Sequence, residues 1–388
     1  MKSNLAKFSV FMFMLYLFWY KYVHGESSKF LYGGALFVIG ATLWYMNKQS
    51  YNRFGIPSGV KWHIAYGIYS LVFGFFIVEY KFYMITSLIT YFAFIIVALC
   101  ACYICEGERD ASWLMREIAA VALICSVYTI TNGYDYYNGI MVKTLGETNN
   151  PNSLGLVLVM GIFAIMMLNS RKFIGMIISL GLMGVLVYGI VLTGSKKSLF
   201  SAGILLAIWM VSFVRDASKS GKISYIMLSY VLVAVIAVVA VMYLKTGYRN
   251  TASFQRMQHL NDSGSTILRE LMYRRAWELF EQNPLFGVGY NQFRIVSGFG
   301  TYSHSTYAEI LSSGGMMGSF IYLFPIIAAG FSLLKKTFTH RSYIFGVLLA
   351  LYCVEVFLGA VNIFIYDFEH ILIWTILFMF ADKRNLTE

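Results

Sequence analysis

The sequence predicts an all-α integral membrane fold of about twelve transmembrane helices, with one long extracytoplasmic loop carrying amphipathic helices. Three observations lead there. Of 388 residues, 59% are hydrophobic and only 13% charged, about half the charged share of an average soluble domain. Apolar runs of roughly 20 residues, enough to cross a bilayer as helix, recur along the chain. One polar stretch, Lys245 to His304, interrupts them and is too long for a plain connector.

The expected spans run from Lys7 to Tyr22, Phe30 to Met46, His63 to Glu79, Tyr83 to Ile104, Ser112 to Thr131, Ser153 to Leu168 and Phe173 to Leu192. They continue from Ser198 to Val214, Ser224 to Leu244, Thr306 to Leu334, Ser342 to Ala360 and His370 to Ala381. The runs lack the period-two alternation of barrel strands, and backbone polar groups in hydrocarbon must be satisfied internally, so helices are the expected element. The first run follows Lys2 and Lys7 as a signal peptide would, but no small-residue cleavage site follows it, and it reads as a span. With no repeat or Pro-rich linker, residues 1–388 read as a single membrane domain, with 245–304 as a catalytic loop within it.

Orientation follows from Lys and Arg in short loops. Lys48, Arg53, Lys61, Arg171, Lys172, Arg215, Lys219, Lys222, Lys335, Lys336, Arg341, Lys383 and Arg384 fall on alternate loops, which makes both termini cytoplasmic. This bias accounts for most of the +11 charge, so nucleic acid is not expected as a partner. Cys100, Cys102, Cys105, Cys125 and Cys353 lie in or beside spans and read as small apolar residues without chemistry.

Two polar stretches fall outside, Asn132 to Asn152 and Lys245 to His304. Within the second, Ser265 to Gln282 has helical periodicity, with Leu268, Met272 and Ala276 on one stripe and Glu270, Arg274 and Glu278 on another. Pro284 and Gly287-Val-Gly289 stop it. Arg274 has carboxylates four residues to either side and Arg275 can reach Glu278, so both read as ion-pair residues. Arg269 instead shares a face with Tyr273 and Trp277. A stacking cation and an anion ligand are equally open readings for it.

Thr306 followed by Glu309 reads as a capping box, which sets His304 just ahead of a helix's positive end, a place that suits phosphate. His304 is therefore the candidate titratable group, with His259 a second outer histidine; His63 and His340 lie at inner ends. Thr193-Gly194-Ser195-Lys196-Lys197 keeps two cations outside, against the inner bias. Asn149-Asn150-Pro151-Asn152 reads as an ordinary helix cap. The sequence has no HExxH, Walker loop or paired-Cys metal site, and the first outer loop near Glu26 offers one carboxylate, so neither a metal nor another cofactor is expected.

The pattern from Thr193 to Gly315 resembles the bacterial polysaccharide polymerase and O-antigen ligase superfamily. Its parts are the Thr193 to Lys196 turn, Arg269 ahead of Asn283-Pro-Leu-Phe-Gly-Val-Gly289, and the His-Ser-x-x-x-Glu-x-Leu stretch from His304 to Leu311. The resemblance implies a GT-C-like architecture and an inverting glycosyltransferase of the bacterial cytoplasmic membrane that works at its outer face. Saccharides on undecaprenyl diphosphate would serve as donor and acceptor, amid membrane lipid, with a chain-length regulator and a flippase as further partners. A diphosphate leaves readily, so transfer needs cations more than an acid, and the acceptor hydroxyl needs a base. Arg269, Lys196, Lys197 and Arg256 would hold the diphosphate; His304 would be the base, with Arg269 and Glu309 beside it. Where the superfamily usually has Arg, this chain has Lys196, which cannot form a bidentate fork to phosphate. The Gly-Ser-Lys-Lys turn and the Tyr-Ser-His-Ser string look more like Wzy-type polymerases than like ligases to lipid A core. A lipid or polysaccharide transporter is the competing class, and the mid-span charges Arg116 and Glu355 would serve it.

Overall fold

The computed structural model describes residues 2–24, 27–47, 55–108, 110–132, 135–137, 140–145, 150–168, 173–220, 264–340 and 343–382. Helix α1 (Lys2–Leu15) passes through a π-helical turn (Tyr16–Tyr20) into α2 (Lys21–His24), and α3 (Ser28–Met46), α4 (Ser58–Ile77), α5 (Lys81–Glu108) and α6 (Ser112–Thr131) follow. A short antiparallel hairpin, β1 (Asp135–Tyr137) and β2 (Ile140–Val142), leads to α7 (Pro151–Leu168), α8 (Phe173–Thr193) and α9 (Lys196–Ser220). Beyond it come α10 (Gly264–Gln282), α11 (Phe293–Val296), α12 (Thr306–His340), α13 (Tyr343–Val361) and α14 (Phe368–Asp382).

Helices thus occupy eleven of the twelve expected spans; the twelfth, Ser224 to Leu244, lies outside the described residues. Seven of them are long and apolar enough to cross a membrane: α3, α4, α5, α6, α7, α8 and α12. The chain is a multi-pass membrane protein. The hairpin departs from the helix-only expectation. Its strands leave residues 143–145, of which Lys143 is buried with its ammonium on the Ile130 carbonyl at 2.6 Å and its backbone NH on Leu192 at 3.0 Å, tying the ends of α6 and α8 together.

α6 packs on α7 and α8, α1 on α3, and α12 on α4 and α13. α14 is buried from Phe368 to Ala381, as a helix that is apolar all round must be. At one end of the bundle Ser58 Oγ donates to Asp382 at 2.7 Å and the Lys336 ammonium caps the last carbonyls of α14, Phe380 and Ala381, at 2.7 Å each. Arg116 belongs to this end too. It lies in the first turn of α6, bonded to Ser112, with Asp110 at 4.0 Å and most of its side chain exposed, so it is not the mid-span charge expected. The starts of α9, α12 and α14 and the end of α4 lie at the opposite end, which holds the candidate site.

α12 is broken at Gly315 (φ 62°, ψ −162°). In an unbroken helix the NH groups of Met316 and Met317 would bond the carbonyls of Ser312 and Ser313. Here the segment Pro284–Gly289 takes all four. Met316 N donates to Pro284 at 2.8 Å and Met317 N to Leu285 at 3.2 Å, while Val288 N and Gly289 N donate to Ser312 and Ser313 at 2.9 Å each. The Tyr69 hydroxyl satisfies the Gly314 carbonyl at 2.7 Å. Five of the backbone groups freed by the break thus find partners outside the helix. The exchange requires glycine on both sides. A Cβ on Gly287 (φ +69°) would overlap the Ser313 carbonyl, and one on Gly315 (φ +62°) would stand 2.5 Å from the carbonyl carbon and oxygen of Leu285.

Candidate functional site

The 193–197 turn closes α8 and opens α9. Gly194 takes φ +66°, the usual left-handed exit from a helix. Thr193 Oγ1 donates to the Ile190 carbonyl at 2.7 Å and Ser195 Oγ shares a hydrogen bond with Ser198 at 2.8 Å. Lys196 and Lys197 therefore form the first turn of α9, where the helix dipole is already positive. Lys197 Nζ donates to Asn362 Oδ1 at 2.9 Å.

The second helix start is that of α12. Thr306 N and Oγ1 both donate to the Asn362 carbonyl, at 2.8 and 2.7 Å. Ser305 is the cap, its Oγ accepting from Ala308 N at 3.4 Å. The expected Thr306/Glu309 capping box does not form: the cap moves back to Ser305, and Ala308, three residues on, has no carboxylate to reciprocate. Glu309, fully buried, reaches back further: one carboxylate oxygen takes Ser303 N at 2.8 Å and the other the Tyr366 hydroxyl at 3.1 Å. Helical spacing had put Glu309 off the face of His304; the bend lets it hold the backbone one residue before that histidine.

His304 stands between these groups with φ 60°, a conformation uncommon outside glycine. Its ring meets Tyr302 edge-on at 4.8 Å. Burial, reinforced by the Arg269 guanidinium and then the Lys197 ammonium, holds its imidazole down at about 4. The three residues thus share one electrostatic neighbourhood although they come from α9, α10 and the turn before α12.

Arg269 is exposed on α10 and has no carboxylate partner among the described residues. α10 is anchored by Met272, Ala276 and Leu279 against Phe293. The buried stripe is therefore 272–276–279 and Leu268, expected on it, is 43% exposed. Arg274 pairs with Glu270 at 2.7 Å and Arg275 with Glu278 at 2.9 Å, as the spacing predicts. Arg256, His259, Glu26 and Asn149 lie outside the described residues. Asn150 caps α7 through Asn152 N at 2.9 Å, the structural role expected of that segment.

Four residues here went unrecognised in the sequence: Asn362, Tyr366, Asp367 and Arg294. The first three form the α13–α14 turn, and Arg294 of α11 lies within electrostatic reach of Glu309. Polar residues in a six-residue turn between apolar helices were the available signal. A cavity of about 380 Å³ opens behind Tyr366, lined by Lys21, Ser28, Tyr32, Thr90, Asp367 and Glu369 among others. Burial and Glu369 push the Asp367 carboxyl up to about 7, against His370, Lys21 and Lys197.

Residues 181–323 match the family model described as O-antigen ligase. The match spans the Thr193–Gly315 pattern and supports its resemblance to the O-antigen ligase and polymerase superfamily. Among curated proteins none matches the chain. The O-antigen ligase segment contains Lys196, Lys197, Arg269, His304, Glu309 and Arg256, and also the Gly287 and Gly315 exchange that shapes the loop. Asn362, Tyr366 and Asp367 lie beyond its end.

Proposed function

We propose that this protein transfers a saccharide from undecaprenyl diphosphate to an acceptor hydroxyl at the outer face of the bacterial cytoplasmic membrane, by inversion and without a metal. The observation that carries this reading is the gathering of Lys197 and Arg269 around a neutral His304, beside two helix N-termini, within the segment that matches the O-antigen ligase family model. The acceptor oxygen attacks the anomeric carbon while the bond to the diphosphate oxygen breaks, its electron pair leaving with the diphosphate. The acceptor proton passes to His304. Lys196, Lys197, Arg269 and Arg256 take up the charge on the leaving group.

An imidazole held at about 4 is free to accept a proton but is a weak base. Binding of an anionic diphosphate offsets the two cations that depress it and raises its basicity when the acceptor is in place. Glu309 works through the loop, since both its oxygens are committed to Ser303 and Tyr366.

Joining of repeat units into surface polysaccharide, O-antigen or capsule, is the first form of the reaction we propose, on the Gly-Ser-Lys-Lys and Tyr-Ser-His-Ser strings. Transfer of finished polysaccharide to lipid A core is the second, favoured by the description of the matching family model. Purified protein incubated with lipid-linked repeat units alone separates them: a ladder of products identifies a polymerase, and product only with added core acceptor a ligase. Undiminished transfer by both His304→Ala and Arg269→Ala would overturn the site. Loss of function in Glu355→Gln with His304→Ala fully active would favour the transporter class.

A further inference from the structure

We propose that Glu355, His370 and Asn362 form a buried positioning chain that holds the Lys197 ammonium in place for an anionic ligand. The inference rests on the site proposed above and adds three residues to it from beyond the matched O-antigen ligase segment. Glu355 of α13 and His370 of α14 have side chains 3% and 1% exposed, with Glu355 Oε2 and His370 Nδ1 2.8 Å apart. His370 Nε2 lies 3.0 Å from Asn362 Nδ2, and Asn362 Oδ1 accepts from Lys197 Nζ at 2.9 Å. The chain runs unbroken from an apolar span to the first turn of α9.

Donor and acceptor chemistry gives this chain a direction. A lysine ammonium only donates, so Asn362 must turn its oxygen to Lys197 and its NH₂ to the imidazole. His370 Nε2 must then accept, which places a ring proton on Nδ1, where it donates to Glu355 Oε2. With Lys197 charged, this is the arrangement that satisfies all four groups. A buried carboxylate in a span is costly unless compensated. Here the His370 ring meets the carboxylate directly, and the Asn362 amide carries the connection on to Lys197.

Asn362 does a second thing. Its carbonyl takes Thr306 N and Oγ1, so the residue that fixes Lys197 also fixes the helix start two residues after His304. A long, flexible lysine would otherwise lose much side-chain freedom on binding a phosphate; a preset ammonium has already lost it.

A cluster that merely stapled α13 to α14 would leave Lys197 out of account, and a double-mutant cycle separates the two roles. The protein is reconstituted in nanodiscs, and affinity for undecaprenyl diphosphate alone is measured for wild type, Glu355→Gln, Asn362→Ala, Lys197→Met and the two doubles with Lys197→Met. Gln preserves the acceptor for His370 but removes the charge. Each single variant is expected to weaken binding roughly tenfold, and neither Glu355→Gln nor Asn362→Ala should weaken it further once Lys197 is Met. In turnover the single variants should raise KM for the lipid-linked donor more than they lower kcat. Losses that multiply in the doubles, or unchanged affinity in folded Glu355→Gln and Asn362→Ala, would overturn the chain; thermal unfolding shows which variants are folded. If Glu355→Gln fails to fold, the Asn362→Ala cycle decides alone. Because the binding cycle needs no turnover, a wild type that binds the diphosphate but transfers nothing would sink the proposed reaction and leave the chain standing.

Discussion

At the scale of single residues, charge in the site is arranged so that one histidine stays neutral among cations. With His304 held at about 4 in the free protein against an ordinary 6.5, the acid limb of kcat/KM against pH should lie well below that of an unperturbed histidine, while the limb of kcat, which reports the diphosphate-bound state, should lie higher. The linkage has a definite sign. The unfolded chain binds this proton more readily, so His304 lowers stability as pH falls from 6.5 toward 4 and has no effect above that window. Following the imidazole by NMR, with and without undecaprenyl diphosphate, should show its titration moving upward on binding; a downward move would contradict the pairing with Arg269 and Lys197. The arginines of α10 separate by the same logic. Arg274→Ala removes an exposed pair worth under about 1 kcal/mol and should leave transfer intact, whereas Arg269→Ala should abolish it. The sequence made that distinction visible, because four-residue spacing to glutamates is a local property. Asn362 was invisible for the opposite reason: its partners Lys197, Thr306 and His370 meet only when four helix ends converge.

Among the elements, the broken α12 is the most informative. The Thr306–Glu309 spacing placed its start at Thr306, yet nothing local announced that the helix would stop at Gly315 and restart, because the cause lies in Pro284–Gly289. The Asn-Pro-Leu-Phe-Gly-Val-Gly string read as a helix stop from its residues and proves to be half of a backbone exchange. Gly287→Ala or Gly315→Ala should each destabilise the protein by about 3 kcal/mol, left-handed strain adding to overlap with backbone that cannot move aside. Thermal unfolding in detergent checks this, and a loss within 0.5 kcal/mol would mean that the strap yields. Glu309→Gln turns an amide NH₂ toward a donor it cannot satisfy, and should cost about 1–3 kcal/mol along with the shape of the Ser303–His304 backbone.

For the whole molecule, the ends of the bundle are chemically distinct. Span positions were legible because hydrocarbon imposes them on any sequence, and the cytoplasmic orientation read from Lys and Arg has a direct test. Glu281→Cys, at the end of α10, should react with a membrane-impermeant thiol reagent in intact cells. Phe338→Cys, near the end of α12, should react only after permeabilisation; the reverse pattern would invert the topology. What the sequence could not convey is how the loop is pinned to the bundle. The strap over Gly315 has four backbone bonds, two of them to the carbonyls of the buried Ser312 and Ser313, which would be stranded if the strap lifted. α10 is anchored by a small apolar cluster centred on Met272, Ala276, Leu279 and Phe293. The strap is therefore a buttress: it fixes where the chain from Pro284 to Gly289 rests on α12, and α10, seated on its own apolar cluster, is held next to that fixed point.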